Sequence, residues 1–257
     1  MQSEFEFAKG LAREAGKIMR ENFSASSVGM KREWKDDNTP LTITDTAINK
    51  LVLDAIEKNY PTHSFVGEEG SNIKESEYTW VCDPVDGTIP FSHGFPTFTF
   101  SLALTKNGES IVGVIYDPIM DRLVSAEKGK GAYLNGQKIS VSSEKTITKQ
   151  SFVELNTNER MTSLRAYLHE KGCYVPTIYS CVYASMLVAT GEFAAAIYPH
   201  DKPWDAAAVK VIIEEAGGKV TDLDGNDQRY DGKVNGFVAS NGHAHDELVR
   251  ALNVKIK

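Results

Sequence analysis

Two carboxylates and a hydroxyl lie close together in residues 80–88, whose sequence is WVCDPVDGT. The three apolar residues predict the end of a buried strand, and the proline and glycine that follow predict a turn. Asp83 and Asp86 are three residues apart, so both carboxylates can converge on one hard cation. The Val85 carbonyl and the Thr88 hydroxyl offer further oxygen ligands. The alternative is an ordinary strand-ending turn without chemistry, because Asp and Gly are common turn residues.

Three further acidic residues stand where a predicted strand ends or a predicted helix begins. Asp45 falls in the first turn of a helix whose predicted N-cap is Thr44, after an extended segment at 41–43. Glu68 follows a short predicted strand, and Asp205 lies at a predicted helix start. Each has an ordinary explanation as a capping or dipole-stabilising residue. Their recurrence predicts one shared cluster, because strand ends and helix starts are where α/β proteins gather their sites.

The chemistry of such a cluster is that of hard cations. Converging carboxylates repel one another unless positive charge neutralises them. Oxygen ligands without His or Cys favour Mg²⁺ or Mn²⁺ over Zn²⁺. The chain has a formal net charge of −7, which argues against a nucleic-acid surface. An anionic ligand would therefore need a recruited cation to hold it.

Composition predicts a globular protein in a reducing compartment. Of the 257 residues, 41% are hydrophobic and 25% are charged, which is ordinary for a folded domain. Cys82, Cys173 and Cys181 are too few and too scattered for a disulfide framework, and we interpret them as small core residues. The apolar runs, such as 111–116, are too short to span a membrane. No signal segment opens the chain, so we expect a cytoplasmic location.

The remaining pattern predicts helices and strands around that cluster. The first helix opens with a capping box at Ser3, and a hairpin turns at 106–108 with a third strand at 123–126. The glycine-rich segment 129–136 lacks the spacing of a Walker phosphate loop and predicts a structural turn. A polar stretch at 142–150 could join two closely packed lobes.

Six motifs follow one another along nearly the whole chain, which are residues 42–45 (TITD), 67–69 (GEE), 80–88 (WVCDPVDGT), 113–118 (GVIYDP), 204–207 (WDAA) and 215–218 (EAGG). Together they closely resemble the motifs of the inositol monophosphatase family of metal-dependent, often lithium-sensitive phosphatases. The rival motif is the D-x-D-G-T of haloacid-dehalogenase-type phosphatases, whose aspartates are two apart, whereas Asp83 and Asp86 are three apart.

The resemblance implies an α/β (α+β) protein with the layered αβαβα sugar-phosphatase fold. Residues 1–257 would form a single inositol-monophosphatase-like domain with two lobes, about 1–145 and 146–257, and the protein would be a homodimer. The cofactor would be Mg²⁺, with two or three ions, or Mn²⁺ in its place. The substrate would be a small phosphate ester, an inositol or sugar phosphate, hydrolysed without a covalent nucleophile.

The resemblance also implies which residues would hold the metal ions. One ion would be bound by Glu68, Asp83, the Val85 carbonyl and Thr88. A second would be bound by Asp83, Asp86 and Asp205, and Glu68 could help a looser third.

Catalysis and substrate binding would use overlapping residues. Thr88, paired with Asp45, would orient and deprotonate the attacking water, and Glu68 would join this catalytic group through its metal ion. The backbone N–H groups of Gly87 and Thr88 would bind phosphate oxygens. The implied substrate-binding residues are Asp86, Gly87, Thr88, Tyr179, Ser180 and Tyr198.

The predicted substrate pocket departs from that of inositol-specific members. Those members carry Gly and Ala on either side of a Ser or Thr, where this chain has Tyr179, Ser180 and Cys181. Where they hold inositol hydroxyls with an acidic residue, this chain has Tyr198. A site that loses a buried acceptor discriminates less sharply among hydroxyl patterns. We therefore expect a flatter or less hydroxylated ester to be preferred over inositol 1-phosphate.

Two alternatives stay open on the sequence. Histidinol phosphate or a 3′(2′),5′-bisphosphate nucleotide could be the substrate of the same site, because residues 35–40 (KDDNTP) are similar to a loop of those branches. The chain could instead be a non-catalytic metal-binding or regulatory protein. Thr88 with Asp45 argues against this, since a binding module would need the ligands but not the water-activating pair.

Overall fold

The computed structural model of the chain describes residues 3–24, 33–34, 40–156 and 158–254. In these ranges the chain forms seven α-helices, which are α1 (Glu4–Asn22), α2 (Ile43–Asn59), α3 (Thr88–His93), α4 (Thr162–Lys171), α5 (Cys181–Ala189), α6 (Ala207–Glu215) and α7 (His245–Leu252). The strands are β1 (Glu33–Trp34), β2 (Pro40–Leu41), β3 (Ser64–Gly67), β4 (Gly70–Asn72), β5 (Tyr78–Asp86), β6 (Thr99–Lys106), β7 (Glu109–Asp117), β8 (Arg122–Glu127), β9 (Ala132–Leu134), β10 (Gln137–Lys138), β11 (Val153–Leu155), β12 (Ala195–Tyr198), β13 (Lys219–Thr221) and β14 (Phe237–Ser240). Short 3₁₀ turns lie at Glu159–Met161 and Pro203–Asp205.

Two sheets make the frame of the protein. The larger sheet has eight strands in the order β10-β9-β8-β7-β6-β5-β3-β4. In it β3 pairs with β5 in parallel, and the other neighbours pair antiparallel. The smaller sheet has the order β11-β12-β14-β13, with β11 parallel to β12. A separate pair of short strands, β1 and β2, is antiparallel.

Alternating side chains on the strands divide the core into layers. On β5, Trp80 packs in the core that contains α1 and α2, whereas Val81 packs in the core that contains α5 and α6. On β12, Ala196 joins the same core as α5 and α6, whereas Ile197 joins a third core with α4 and α7. The layers are therefore helices, large sheet, helices, small sheet and helices. This confirms the predicted αβαβα fold class.

The predicted hairpin and its third strand are confirmed. Strands β6 and β7 join at Asn107 and Gly108, whose φ angles of 53° and 84° are both positive. A two-residue turn of this kind is favoured in hairpins because its twist matches that of the strands. Strand β8 then pairs with β7. The prediction for 129–136 is wrong in one respect, because the short strand β9 runs through that segment between its glycine turns.

Helix α2 begins earlier than predicted. Its N-cap is Thr42 and not Thr44, and the Thr42 side chain accepts a hydrogen bond from the Thr44 N–H at 3.2 Å. Asp45 in turn accepts one from the Thr42 N–H at 3.0 Å. These reciprocal bonds form a capping box, with Asp45 as its third helical residue. The predicted extended segment at 41–43 therefore ends at Thr42.

Some predictions fall wholly or partly outside the described residues. The segment 35–40, which is similar to a loop of the histidinol-phosphatase and nucleotidase branches, is described only at residue 40. The division into lobes near residue 145 stays a prediction. None of the described helices combines the length and the apolar character that a membrane span requires.

Helix α6, which follows Asp205 in the chain, packs closely on β7 at Gly113. A Cβ atom at position 113 would lie 2.6 Å from Val211 Cγ1 and 2.9 Å from the Ala208 carbonyl oxygen. The missing side chain thus allows the helix to approach the sheet. This close packing determines how near Asp205 lies to the strands.

Replacing Gly113 by Ala should destabilise the protein by about 1–3 kcal/mol, because the added methyl group overpacks the interface between α6 and β7. The measurement is urea unfolding. A matched control is Gly10→Ala in α1, where a Cβ would meet no atom within 4 Å. That change should stabilise the helix by about 0.5–1 kcal/mol. Equal stability of the two variants would contradict the packing argument.

Candidate active site

Asp83 and Asp86 lie within the end of β5 and not in a turn after it, which corrects the sequence prediction. Residues three apart on a regular strand point to opposite faces. Here a bulge intervenes, because Asp83 pairs with Ser101 while Asp86 pairs with Thr99, two residues along β6. Pro84 lies in this bulge, where the ladder does not require its missing N–H. Both carboxylates therefore point to the same face of the sheet.

Asp83 is the centre of the carboxylate cluster. The residue is only 3% exposed, and its Oδ1 accepts a hydrogen bond from the Val85 N–H at 3.0 Å. Burial raises the pKa of Asp83 well above its usual value. Neighbouring carboxylates raise it further, and in decreasing order these are Glu68, Asp86, Asp205 and Asp45. Asp83 and the other four acidic residues that the sequence predicts to form one cluster are thus close enough to interact.

Asp86 faces the first turn of α5. Its Oδ1 accepts a hydrogen bond from the Cys181 N–H at 3.1 Å, and its Oδ2 accepts from the N–H groups of Val182 at 3.1 Å and Tyr183 at 3.3 Å. The Ser180 hydroxyl also donates to Oδ2. An anion is favourable there because the first N–H groups of a helix lack intrahelical acceptors. Burial raises the pKa of Asp86, and these hydrogen bonds oppose the rise.

Ser180 is placed differently from its predicted role. The sequence resemblance assigns it to substrate binding, but the residue is 1% exposed and does not line the cavity. Its oxygen accepts the Tyr183 N–H as the N-cap of α5, and its hydroxyl donates to Asp86. In this structure Ser180 therefore orients a carboxylate.

The Thr88 hydroxyl lies near two oxygen acceptors. These are the Val85 carbonyl at 3.0 Å and Asp45 Oδ1 at 3.3 Å. Asp45 is fully buried, and its other oxygen, Oδ2, accepts from the Thr42 N–H at 3.0 Å and the Thr42 hydroxyl at 2.5 Å. One carboxylate thus serves both the helix cap and the contact to Thr88. The cap holds Asp45 so that Oδ1 faces Thr88.

Gly87 connects β5 to α3 at a position that leaves no room for a side chain. Its φ angle is 86°, in the left-handed region. A Cβ there would lie 2.8 Å from the Thr97 carbonyl oxygen and 3.0 Å from the Ser180 Cβ. The backbone of 87 and 88 can therefore approach the cavity only because residue 87 is glycine.

Asp205 is not a helix N-cap, which answers the alternative left open by the sequence. It ends the 3₁₀ turn Pro203–Asp205, and the cap residue of α6 is Ala206, with no side-chain capping bond. Asp205 Oδ2 lies 2.9 Å from His200 Nδ1. Burial disfavours the charged imidazole, but the hydrogen bond and charge of Asp205 outweigh it, so the pKa of His200 is raised.

A cavity of about 600 Å³ opens over the cluster. All the predicted site residues line it except Asp45 and Ser180. Sequence reasoning missed four of its polar lining residues, which are Asn156, His200, Asp201 and Lys202. The last three lie between β12 and Asp205, so their nearness to the predicted ligand was a usable signal. Asn156 directly follows β11, which is parallel to β12, and this pairing was not visible in the sequence.

Tyr198 and Tyr179 contribute aromatic surface to the cavity. Tyr198 is 3% exposed, and its hydroxyl donates to Glu154 Oε1 at 2.9 Å. The same oxygen accepts the Ile178 N–H at 3.0 Å. Burial raises the pKa of Glu154. Tyr179 is 60% exposed and has a positive φ of 60°. The Tyr198 hydroxyl is thus engaged inside the protein.

The donors at this site fit a hard divalent cation. The carboxylates, the Val85 carbonyl and the Thr88 hydroxyl are all oxygen ligands, which suit Mg²⁺. Burial raises the pKa of Asp83, and the charges of four neighbouring carboxylates raise it further. A cation would relieve that repulsion.

Comparison with known proteins agrees with this architecture. The sequence model of a protein family described as "Inositol monophosphatase family" matches residues 1–257. Inositol monophosphatase 1 of Rattus norvegicus is 34% identical over 233 residues, which cover 86% of this chain and 83% of that protein. The fructose-1,6-bisphosphatase/inositol-1-monophosphatase of Thermotoga maritima is 32% identical over 256 residues, covering 96% and 95%.

Solved structures show the same fold. A Thermotoga maritima IMPase superposes with a TM-score of 0.87 at 29% identity, and the match covers 96% of each chain. A crystal structure of an IMPase/NADP phosphatase complexed with Mg²⁺ and phosphate has a TM-score of 0.85 at 25% identity, covering 97% of this chain and 95% of that one.

The fold and the oxygen-lined acidic cavity define a metal-dependent phosphomonoesterase that acts on small phosphate substrates. The chain belongs to the inositol monophosphatase family. This confirms the predicted enzyme class, a phosphoric monoester hydrolase, over the non-catalytic alternative.

The crowding at Asp83 predicts an effect of pH on the metal-free protein. Because the folded-state pKa of Asp83 is raised, the folded protein holds a proton that the unfolded chain has lost, and the free energy of unfolding falls as pH rises through that window. Asp83→Asn should remove this decline. By urea unfolding across a pH series without metal, the variant should be at least as stable as wild type near neutral pH, and added Mg²⁺ should stabilise only the wild type.

Asp117→Asn is the matched control, since Asp117 is a fully buried carboxylate whose Oδ2 lies 2.8 Å from Arg122. Arg122 is partly exposed, so removing the charge of its partner should cost about 1.5–3 kcal/mol, the scale of a hydrogen bond to a charged group. A similar loss for Asp83→Asn would mean that Asp83 is a structural residue.

Proposed function

We propose that this chain is a Mg²⁺-dependent phosphomonoesterase that activates water without a covalent intermediate. One ion would be held by Glu68, Asp83, the Val85 carbonyl and Thr88, and a second by Asp83, Asp86 and Asp205. When bound, the ions would supply positive charge to the phosphate and lower the pKa of a water. The observation that carries this proposal is the convergence of Glu68, Asp86, Asp205 and Asp45 on buried Asp83. A solved relative complexed with Mg²⁺ and phosphate supports it.

Thr88 and Asp45 would move the proton. The Thr88 hydroxyl would accept a proton from water and pass its own to Asp45 Oδ1, which lies 3.3 Å away. The Thr42 cap, bonded to Asp45 Oδ2, keeps Oδ1 directed at Thr88. The N–H groups of Gly87 and Thr88 would bind phosphate oxygens where α3 begins.

Thr88→Ala should lower kcat by about 10²-fold or more, because it removes a positioned proton-transfer group. Phosphate release is measured over a Mg²⁺ titration, and Thr88→Ser, which keeps the hydroxyl, should restore most of the rate. Chelation should abolish wild-type activity and added Mg²⁺ should restore it. If Thr88→Ala mainly raises the Mg²⁺ requirement and keeps near-normal kcat at saturation, the assignment is wrong.

The leaving group that fits the cavity is flatter or less hydroxylated than inositol. Tyr198 offers its ring to the cavity while its hydroxyl donates to Glu154. Tyr179 and Trp204 add further aromatic surface. Relatives act on varied esters, since one is named a fructose-1,6-bisphosphatase/inositol-1-monophosphatase and another an IMPase/NADP phosphatase. These names include inositol phosphates as well, so the preference for a sugar or nucleotide phosphate over inositol 1-phosphate rests on the aromatic residues that line the cavity. Histidinol phosphate is tested beside these esters.

The double variant Tyr198→Glu with Glu154→Gln should improve inositol 1-phosphate relative to flatter esters by about tenfold or more in kcat/KM, the scale of one charged hydrogen bond. Glu154 must change as well, because it accepts from the Tyr198 hydroxyl and its charge would otherwise repel a new carboxylate at the same buried position. kcat/KM is measured at saturating Mg²⁺ for inositol 1-phosphate and for sugar, nucleotide and histidinol phosphates. Tyr174→Glu, at an exposed tyrosine away from the cavity, is the control.

Two outcomes would reject this interpretation of the pocket. One is a wild-type enzyme that already prefers inositol 1-phosphate by about tenfold, a margin of roughly 1.4 kcal/mol. The other is a double variant whose preference does not change. Five further points stay predictions, which are homodimer formation, sensitivity to Li⁺, use of Mn²⁺, the number of ions and the cytoplasmic location.

A further inference from the structure

A second set of metal-binding atoms lies in the same cavity. A thiol, an imidazole and a carboxylate, from Cys181, His200 and Asp205, offer ligand atoms that all lie within 4.8 Å of one another. Cys181 is the first residue of α5, whereas the other two residues lie in the connection between β12 and α6. Only Asp205 belongs to the Mg²⁺ ligands proposed above.

The chemistry of this set differs from that of the acidic cluster. Thiolate and imidazole are ligands of Zn²⁺ and similar thiophilic cations, and Mg²⁺ does not select them. Zinc bond lengths of about 2.0–2.3 Å place tetrahedral ligands about 3.3–3.8 Å apart. A set within 4.8 Å therefore needs only small side-chain shifts to close on one ion.

The hydrogen bonds around His200 direct its Nδ1 toward the set. The Asn156 amide nitrogen lies 3.1 Å from Nε2, and Nδ1 lies 2.9 Å from Asp205 Oδ2. Since an amide N–H donates and a carboxylate accepts, Nε2 accepts from Asn156 and Nδ1 carries the proton, which a cation would have to displace. A cation would replace the present contact between His200 and Asp205 by two metal bonds.

We propose that Cys181, His200 and Asp205 form a site for a thiophilic divalent cation of the Zn²⁺ type. Binding forms bonds from the cation to sulfur, nitrogen and oxygen, and the thiol proton passes to solvent. The His200 proton moves through solvent from Nδ1 to Nε2, where the Asn156 amide turns over so that its oxygen accepts. Asp86 also lies 3.2 Å from the Cys181 sulfur, so the incoming positive charge meets two carboxylates. The three protein ligands leave a fourth position for water or phosphate.

The shared ligand makes the two kinds of metal compete. An ion held by Cys181 and His200 takes Asp205 from the second Mg²⁺ and occupies part of the cavity. The thiophilic cation is therefore an inhibitor that opposes activation by Mg²⁺. This consequence rests on the proposed function, whereas binding itself does not.

Binding is tested with Cd²⁺ alone on the full chain without Mg²⁺, using the ultraviolet charge-transfer absorption of a thiolate bound to Cd²⁺. Wild type should show one saturable band. Cys181→Ser and Cys181→Ala should both abolish it, and His200→Ala should weaken binding by about tenfold or more, as for loss of one ligand. Cys173→Ser and His169→Ala, which lie outside the cavity, should leave it unchanged. No band in wild type, or a band that survives both Cys181 variants, would overturn the proposal.

Competition is tested by inhibition of phosphate release with Zn²⁺, with each variant normalised to its own activity without Zn²⁺. Cys181→Ala should need about tenfold or more Zn²⁺ for half inhibition, matching a lost ligand, and Cys173→Ala should behave as wild type. Raising Mg²⁺ should relieve inhibition in wild type. Equal inhibition of wild type and Cys181→Ala would overturn the competition. Absence of phosphatase activity under all conditions would reject the proposed function and leave the Cd²⁺ result standing.

Discussion

Electrostatic repulsion among buried carboxylates is the constraint on which this protein depends. Asp83 is almost fully buried, which raises its pKa, and the charges of its acidic neighbours raise that pKa further. Such a group is unfavourable for folding unless a proton or a cation compensates it. The cluster therefore lowers the stability of the metal-free protein and favours binding of a cation. A divalent cation supplies the missing charge, and the same charge serves the hydrolysis of an anionic ester.

The elements around the cluster each use an ordinary structural device for a functional end. The bulge in β5 brings Asp83 and Asp86 to one face of the sheet. The N-terminus of α5 accepts Asp86 as an anion, and the capping box of α2 directs Asp45 toward Thr88. Each device would be stabilising in any protein. Here each one also positions a carboxylate of the acidic cluster, so a residue cannot be assigned to structure or to function alone.

The walls of the cavity differ in character from the acidic cluster. Tyr198, bonded to Glu154, presents an aromatic surface, and Cys181 with His200 adds softer metal ligands beside oxygen ligands. Changes in such a wall leave the phosphate chemistry intact while altering which leaving group or inhibitory ion is accepted.

The sequence by itself determined the fold class, the hairpin, the family and the acidic residues of the cavity, because their motifs are local and ordered along the chain. Only the tertiary structure decided how those residues are used. Ser180 is a helix cap that orients Asp86, and the Tyr198 hydroxyl donates a hydrogen bond to Glu154 on the neighbouring strand. The contact between His200 and Asn156 likewise joins two parallel strands distant in sequence. Such contacts depend on strand pairing and helix packing, which no local pattern of residues records.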